Sequence, residues 1–308
     1  MSPVLRITKQ SEYLPVQTAV TVGKFDGFHL GHRSLLSEVL KEKENGLASC
    51  VISFSATVDN ERSLIYTKEE QRKLCESMGI DVLAEYPLNE SLREMTAEQF
   101  VAEILCKKLQ AKVIVAGEDF RFGKGRLGDV AFLQSLEEKY GYRTVCIPKV
   151  TEEDVRISST VIRELLAEGK IAEANGLLGR PYAVFGEVLH GKKLGRTLGF
   201  PTMNLIPSAE KLLPVYGVYV TRINVDGQWF DGITNIGLRP TVDSDQQVSV
   251  ETHLFSYDGD LYGKQVEVQF IEFLRPERKF ADVDALKAAM FDDVKKAKAI
   301  LEKIEGII

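Results

Sequence analysis

Apolar, β-prone runs recur at 18–22, 49–54, 82–86, 112–116 and 144–147, and segments of helical periodicity separate them. Strands alternating with helices predict a parallel sheet covered by helices on both faces. Thr67-x-x-Glu70 and Thr96-x-x-Gln99 are capping boxes that predict helix starts. Gly79 and Gly141 stand where helix C-caps belong. From Tyr182 the texture changes. Val225-Asp226-Gly227-Gln228, between apolar runs at 218–223 and 229–233, predicts a tight hairpin. Residues 248–255 alternate, with Val250, Thr252 and Leu254 on one face and Glu251 and His253 on the other. A further strand is expected over 265–273, then one long helix over 282–304 carrying Val283, Leu286, Met290, Val294 and Leu301 near helical spacing. The second half thus predicts a small closed antiparallel barrel with a terminal helix packed against it. The boundary is placed near Gly179-Arg180-Pro181, giving domains 1–180 and 181–308.

A chain of 308 residues has room for two cores of this kind. With 44% hydrophobic and 27% charged residues it has the composition of a globular protein. The net charge of -6 is evenly spread: Pro181 onward holds 15 basic and 18 acidic residues, leaving 24 and 27 before it, so each half carries about −3. Neither half has the positive excess that binding a phosphate backbone requires, and nucleic acid is not expected as a partner. Cys50, Cys75, Cys106 and Cys146 form no C-x-x-C pair, which argues against a zinc knuckle and fits reduced thiols. No apolar run approaches membrane-spanning length, and residues 1–10 lack a basic-then-apolar leader. A cytoplasmic protein without a membrane partner is expected; oligomeric state is not legible.

The richest chemistry lies in Gly23-Lys24-Phe25-Asp26-Gly27-Phe28-His29-Leu30-Gly31-His32, between the first long strand and a helix bearing Leu35, Leu36, Val39 and Leu40. Helix N-termini attract anions, and two imidazoles beside one can stabilise charge growing on a phosphate. The plain alternative is a pair of histidines capping a helix. Arg156-Ile157-Ser158-Ser159-Thr160-Val161-Ile162-Arg163 combines arginines, hydroxyls and a helix start, either an N-cap or a triphosphate cradle. In Gly117-Glu118-Asp119-Phe120-Arg121-Phe122-Gly123, the aromatics serve either a core or a planar ligand ring, with Asp119 as an acceptor. Gly123-Lys124-Gly125-Arg126-Leu127-Gly128 matches G-x-G-x-x-G, but the strand ends at Ala116, too early for a dinucleotide fingerprint.

In the second half, His190-Gly191-Lys192-Lys193-Leu194-Gly195-Arg196 is a basic loop suited to closing over phosphates, or a solvated hairpin tip. It leads to Phe200-Pro201-Thr202-Met203-Asn204-Leu205, where Thr202 and Asn204 point to one side and can offer oxygens to Mg²⁺ beside a nucleotide. Glu251 is the carboxylate placed to accept a proton from a hydroxyl nucleophile, unless it is simply an outward-facing strand residue.

Taken in order, these segments resemble the bacterial bifunctional riboflavin kinase/FMN adenylyltransferases, or FAD synthetases, along essentially the whole chain. The loop 23–32 resembles that family's first nucleotidyltransferase motif, 156–163 its second, 117–123 its flavin-side loop and 198–205 its kinase motif. Glu251 falls at the family's catalytic carboxylate. The resemblance implies a Rossmann-like nucleotidyltransferase domain over 1–180 and a β-barrel riboflavin kinase domain over 181–308. Riboflavin, FMN and ATP would be the small-molecule substrates, FAD the product and Mg²⁺ the metal. It implies catalytic roles for Glu251, His29 and His32. ATP contacts are implied at Gly23, Phe25, Gly27, Arg156, Ser159, Thr160, Arg163, Gly191, Lys192, Thr202 and Asn204. Flavin contacts are implied at Asp119, Phe120 and Phe122, and metal contacts at Thr202 and Asn204. Two departures stand out. Met203 replaces the usual Ala of Pro-Thr-Ala-Asn, and Ser53-Phe54-Ser55-Ala56-Thr57-Val58 occupies the place where many members carry Pro-His-Pro. The second motivates an alternative, a monofunctional riboflavin kinase with an impaired adenylyltransferase domain.

Overall fold

The computed structural model describes residues 4–7, 13–55, 63–148, 151–152, 155–189, 200–240 and 246–305. The chain falls into two compact units, Met1–Ser159 and Thr160–Ile308.

The first unit holds a parallel sheet of β1 (Leu5–Ile7), β2 (Thr18–Gly23), β3 (Ala48–Ser55), β4 (Val82–Pro87), β5 (Ala111–Gly117) and β6 (Arg143–Ile147). Its spatial order is β1-β4-β3-β2-β5-β6, and β7 (Thr151–Glu152) and β8 (Val155–Arg156) form a separate two-stranded sheet. The five longer strands are those the apolar runs predict. Their near-continuous burial, complete over the first five residues of β2, is what a sheet covered on both faces demands. Strand β1 escapes prediction because three residues carry no period; it pairs with β4 at the sheet edge. Helix α1 (Leu30–Lys41) packs across β2, β3 and β5. Helix α2 (Lys68–Met78) starts at the Thr67–Glu70 capping box and ends at Gly79 in the left-handed region. After the short α3 (Glu90–Glu94), the Thr96–Gln99 box likewise opens α4 (Ala97–Gln99), which runs on through the π-helical stretch Phe100–Lys108 and buries Phe100, Val101, Ile104 and Leu105. Helices α5 (Val130–Ser135) and α6 (Glu137–Tyr140) precede β6.

Strand order decides where a ligand binds. Successive strands β2, β3 and β4 spread to one side, and β5 and β6 are laid on the other. The order therefore reverses between β2 and β5, and ligands of open α/β sheets bind in the crevice beyond the carboxyl ends at such a point. The histidine loop leaves β2 there, and the 117–123 loop leaves β5 there.

The second unit is built on an antiparallel sheet of β9 (Tyr182–Glu187), β10 (Met203–Leu205), β11 (Gly217–Val225), β12 (Gln228–Pro240), β13 (Gln246–Leu254) and β14 (Gln265–Pro276). Its order is β10-β13-β12-β11-β14-β9. The outer strands meet through a bridge between Leu189 and Asn204, so the sheet curls into a barrel. The predicted hairpin joins β11 and β12 through Asp226 and Gly227, both at positive φ. Inside, the buried hydroxyls of Thr221, Thr234 and Thr252 form a chain at 2.8 Å per link across β11, β12 and β13. Helix α9 (Val283–Glu305) lays Ala297 and Leu301 on Val218, Val220 and Ile233 of the outer face. Helices α7 (Ser159–Ala167) and α8 (Ile171–Leu178) complete this unit. Asn175 of α8 donates to the Phe270 carbonyl at 2.8 Å and accepts from the Tyr182 N–H at 2.7 Å, tying the helix to β14 and β9. The break in packing thus comes at Ser159, ahead of the shift in sequence texture near 180.

Candidate active sites

The loop after β2 is bent hard. Phe25 and Phe28 both hold φ of 45°, in the left-handed region that bulky residues avoid at a cost of about 1–3 kcal/mol each. Complete burial of both rings holds them there. The Phe25 ring lies 5.7 Å from Phe28 and 4.9 Å from the His32 ring, so it supports the loop from beneath. His29 and His32 stack with centroids 3.7 Å apart and planes at 16°. His29 is the N-cap of α1 but its side chain makes no capping hydrogen bond, which sets aside the plain reading that the ring caps the helix. Gly31 permits the stack: a Cβ there would stand 3.2 Å from the His29 ring.

Other segments brace the loop. The Asp26 carboxylate accepts from the Ile65 N–H at 3.0 Å, and the Ser53 hydroxyl donates to the Lys24 carbonyl at 3.2 Å. Ser53 opens the segment that lacks Pro-His-Pro; residues 56–58 lie outside those described. The Ser159 hydroxyl donates to the Asp26 carbonyl at 2.7 Å, which joins the Ile-Ser-Ser segment to the histidine loop. Thr160 and Arg163 follow on α7 in the second unit. The side chain of Arg156, and Gly191 and Lys192 with the rest of 190–199, lie outside the described residues.

On the loop after β5, Asp119 is exposed and Phe120 half-buried. Phe120 stacks on Phe122 at 5.2 Å and 13°, and Phe122 packs at 5.8 Å from Phe100 and 6.4 Å from Phe132. Phe122 therefore belongs to the core, only 6% exposed, and of the two rings Phe120 is the one with open surface. The neighbouring glycines serve packing. A Cβ on Gly123 or Gly128 would run into Ala97, and Phe122 and Gly128 bridge to close the turn. Gly125 between them sits at φ 64°, so packing and a tight turn together account for the G-x-G-x-x-G pattern without a dinucleotide.

The barrel carries a second constellation on its outer face. Asn204 of β10, Glu251 of β13 and Asn235 of β12 are direct cross-strand partners, so they form one row. Glu251 is half-buried and Asn204 buried, while Thr202 is half-buried just before β10. Asn235 escapes sequence reasoning because its place beside Glu251 comes from register alone. It donates to the Glu277 carboxylate at 3.1 Å. Met203 points into the opposite face and is 4% exposed, so its replacement of the usual Ala lies away from the row. Among the described residues no cluster of three or more His, Cys, Asp or Glu could hold a metal, and no helix is long and apolar enough to cross a membrane.

An α/β unit with an imidazole pair at the switch point of its sheet is followed in the chain by an antiparallel barrel with a carboxylate between two amides. The family model for FAD synthetase matches residues 12–161, and that for riboflavin kinase matches 178–301. The chain belongs to the bifunctional riboflavin kinase/FMN adenylyltransferase family. It is 37% identical over 291 residues to the member from Pseudomonas fluorescens, covering 91% of this chain and 92% of that one. It is 38% identical over 283 residues to that from Escherichia coli strain K12, covering 89% and 90%. A crystal structure described as a macrolide-efflux protein from Streptococcus pneumoniae shares the fold, with TM-score 0.84 and 28% identity over 96% of this chain and 99% of that one. Both domain types are present, which favours two activities over the monofunctional alternative.

Proposed function

We propose that the chain converts riboflavin to FMN in the domain 181–308 and FMN to FAD in the domain 1–180, using one ATP at each step. In the barrel, the riboflavin 5′-hydroxyl attacks the γ-phosphorus of ATP. Glu251 takes the hydroxyl proton, the new O–P bond forms as the bond to the β,γ-bridging oxygen breaks, and ADP leaves. Asn204 and Asn235 flank Glu251 and orient its surroundings, and Thr202 and Asn204 face the phosphates. The donor set at Thr202 and Asn204 is all oxygen, neutral and small, which fits Mg²⁺ arriving with ATP, and these two residues would hold it. Bound there, Mg²⁺ would neutralise phosphate charge.

In the first domain an FMN phosphate oxygen attacks the α-phosphorus of a second ATP, the bond to the α,β-bridging oxygen breaks, and pyrophosphate leaves. The nucleophile is already an anion, so no strong base is needed. His29 and His32 stabilise charge at the transferring phosphorus from the N-terminus of α1, where Gly23, Phe25 and Gly27 shape the approach. Arg156, Ser159, Thr160 and Arg163 hold the departing pyrophosphate. Asp119 and Phe120, with Phe122 beneath, take the flavin side. The thiol state of the described cysteines fits a cytoplasmic enzyme.

The observation that carries this reading is the stacked imidazole pair at the switch point of the sheet, tied to Ser159 through Asp26. Riboflavin incubated with ATP and Mg²⁺ should yield FMN and FAD on chromatographic separation; unaltered riboflavin would refute the proposal. Glu251→Ala should abolish FMN formation and spare conversion of supplied FMN to FAD. Replacing His29 and His32 together by Ala should do the reverse, by on the order of 10²–10³ or more in rate. A folded variant losing both activities would contradict the division.

A further inference from the structure

We propose that His253 is a positioning residue of the kinase site, holding Thr202 and Asn204 against the strand that bears Glu251. Strand β10 pairs with β13 over Met203, Asn204 and Leu205 only. One residue earlier, where Thr202 carries its hydroxyl, the ladder has ended. Pro201 cannot prolong it, since proline has no N–H to donate. Its carbonyl still needs a partner, and His253 supplies one: the imidazole Nδ1 lies 2.9 Å from the Pro201 oxygen. A carbonyl only accepts, so Nδ1 carries the proton in this contact.

The ring is wedged as well as bonded. Phe200 meets it edge-on at 5.2 Å and Phe255 at 5.9 Å. Phe200 is itself buried and braced at 4.9 Å by Phe291 of α9. His253 follows Glu251 by two residues on the same face of β13. One strand thus presents the proton acceptor and, two residues on, the anchor of the segment that faces the phosphates. Loss of the anchor should free Thr202 and Asn204 while leaving Glu251 in place.

The inference rests on the assignment of Thr202 and Asn204 to MgATP, so Thr202→Ala is measured beside the His253 variants. Initial rates of FMN formation by the full chain are recorded with MgATP and riboflavin varied in turn, and FMN-to-FAD conversion is followed on the same preparations. His253→Ala should raise the KM for MgATP about tenfold, the effect of one lost hydrogen bond of roughly 1.4 kcal/mol. The KM for riboflavin and the FMN-to-FAD rate should stay as in the parent. His253→Asn, whose amide nitrogen can occupy the Nδ1 position, should restore most of the loss. An unchanged KM for MgATP in His253→Ala, or an equal rise in the KM for riboflavin, overturns the role. Should His253→Ala not fold, His253→Phe, which keeps a ring between Phe200 and Phe255 but has no N–H to donate, decides: a raised KM for MgATP supports the role, and a parental one overturns it. If Thr202→Ala also leaves the KM for MgATP unchanged, the phosphate-side assignment falls with it; if Thr202→Ala raises it and His253→Ala does not, the role of His253 alone falls.

Discussion

The stack of His29 on His32 depends on an absence, the missing side chain of Gly31. Its φ is ordinary for a helix, so alanine would suit the backbone and even favour the first turn of α1. The space does not suit it, because the added Cβ would press the His29 ring from 3.2 Å and force it aside by a few tenths of an ångström. Gly31→Ala should therefore leave the melting temperature within a few degrees of the parent while FMN-to-FAD conversion falls about tenfold, since small misplacements of catalytic groups are costly. Riboflavin phosphorylation by the same preparation should be unchanged. A variant that adenylylates at the parental rate would mean that the His29 ring position is not critical. Sequence patterning could single out the histidines by their glycine-rich, helix-opening setting. It could not see the stack, or that Phe25 and Phe28 are buried supports at positive φ, because both are consequences of tertiary packing.

At the scale of elements, the five long strands and the Asp-Gly hairpin were legible because burial on both faces and turn chemistry each leave a local pattern. Register leaves none, and it is register that puts Asn235 beside Glu251; β1, at 3 residues, is too short to show a period at all. One clamp that fixes register shows how charge takes part. At the entry of β3 and β4, Asp81 accepts from the Ser49 N–H and hydroxyl, each at 2.9 Å, and from the Lys43 ammonium at 2.7 Å. Partial burial pushes the Asp81 carboxyl up, but Lys43 and the Ser49 donors outweigh it and hold the group below the ordinary carboxylate value. A depressed folded-state pKa gives stability that is present above the unfolded value near 4 and is lost as pH falls through the folded value. Asp81→Asn should accordingly unfold at lower urea than the parent at pH 7, and the gap should narrow steadily below about pH 4. Equal gaps at pH 7 and pH 3 would show that the clamp acts by shape and not by charge.

For the whole molecule the question is where the kinase half begins. Sequence texture places the change near 180 and the riboflavin kinase family model starts at 178, whereas the packing divides the chain after Ser159. The discrepancy is physical. Helices α7 and α8 continue the alternating pattern of the first half, but α8 hangs on the barrel through Asn175, whose amide satisfies backbone groups of both β9 and β14. The Leu166 carbonyl of α7 accepts from the Val215 N–H at 3.1 Å, and Gly169 fits against Val215 and Phe273. Ile171, Ala174 and Leu178 are all but fully buried. Removing 160–180 would uncover the apolar surface beneath α8 and leave the Tyr182 N–H and Phe270 carbonyl without their Asn175 partner, together a loss of several kcal/mol, roughly 1.5–3 for each large side chain and 1–3 for each polar group. That is a large share of the stability of a domain this size, about 5–15 kcal/mol. A fragment spanning 160–308 should therefore melt cooperatively and phosphorylate riboflavin, while one spanning 181–308 should melt many degrees lower or fail to fold. Circular-dichroism melts and a riboflavin phosphorylation assay on the two fragments decide it. Equal stability and activity would mean that the two helices are passengers on the barrel, and that the kinase is complete without them.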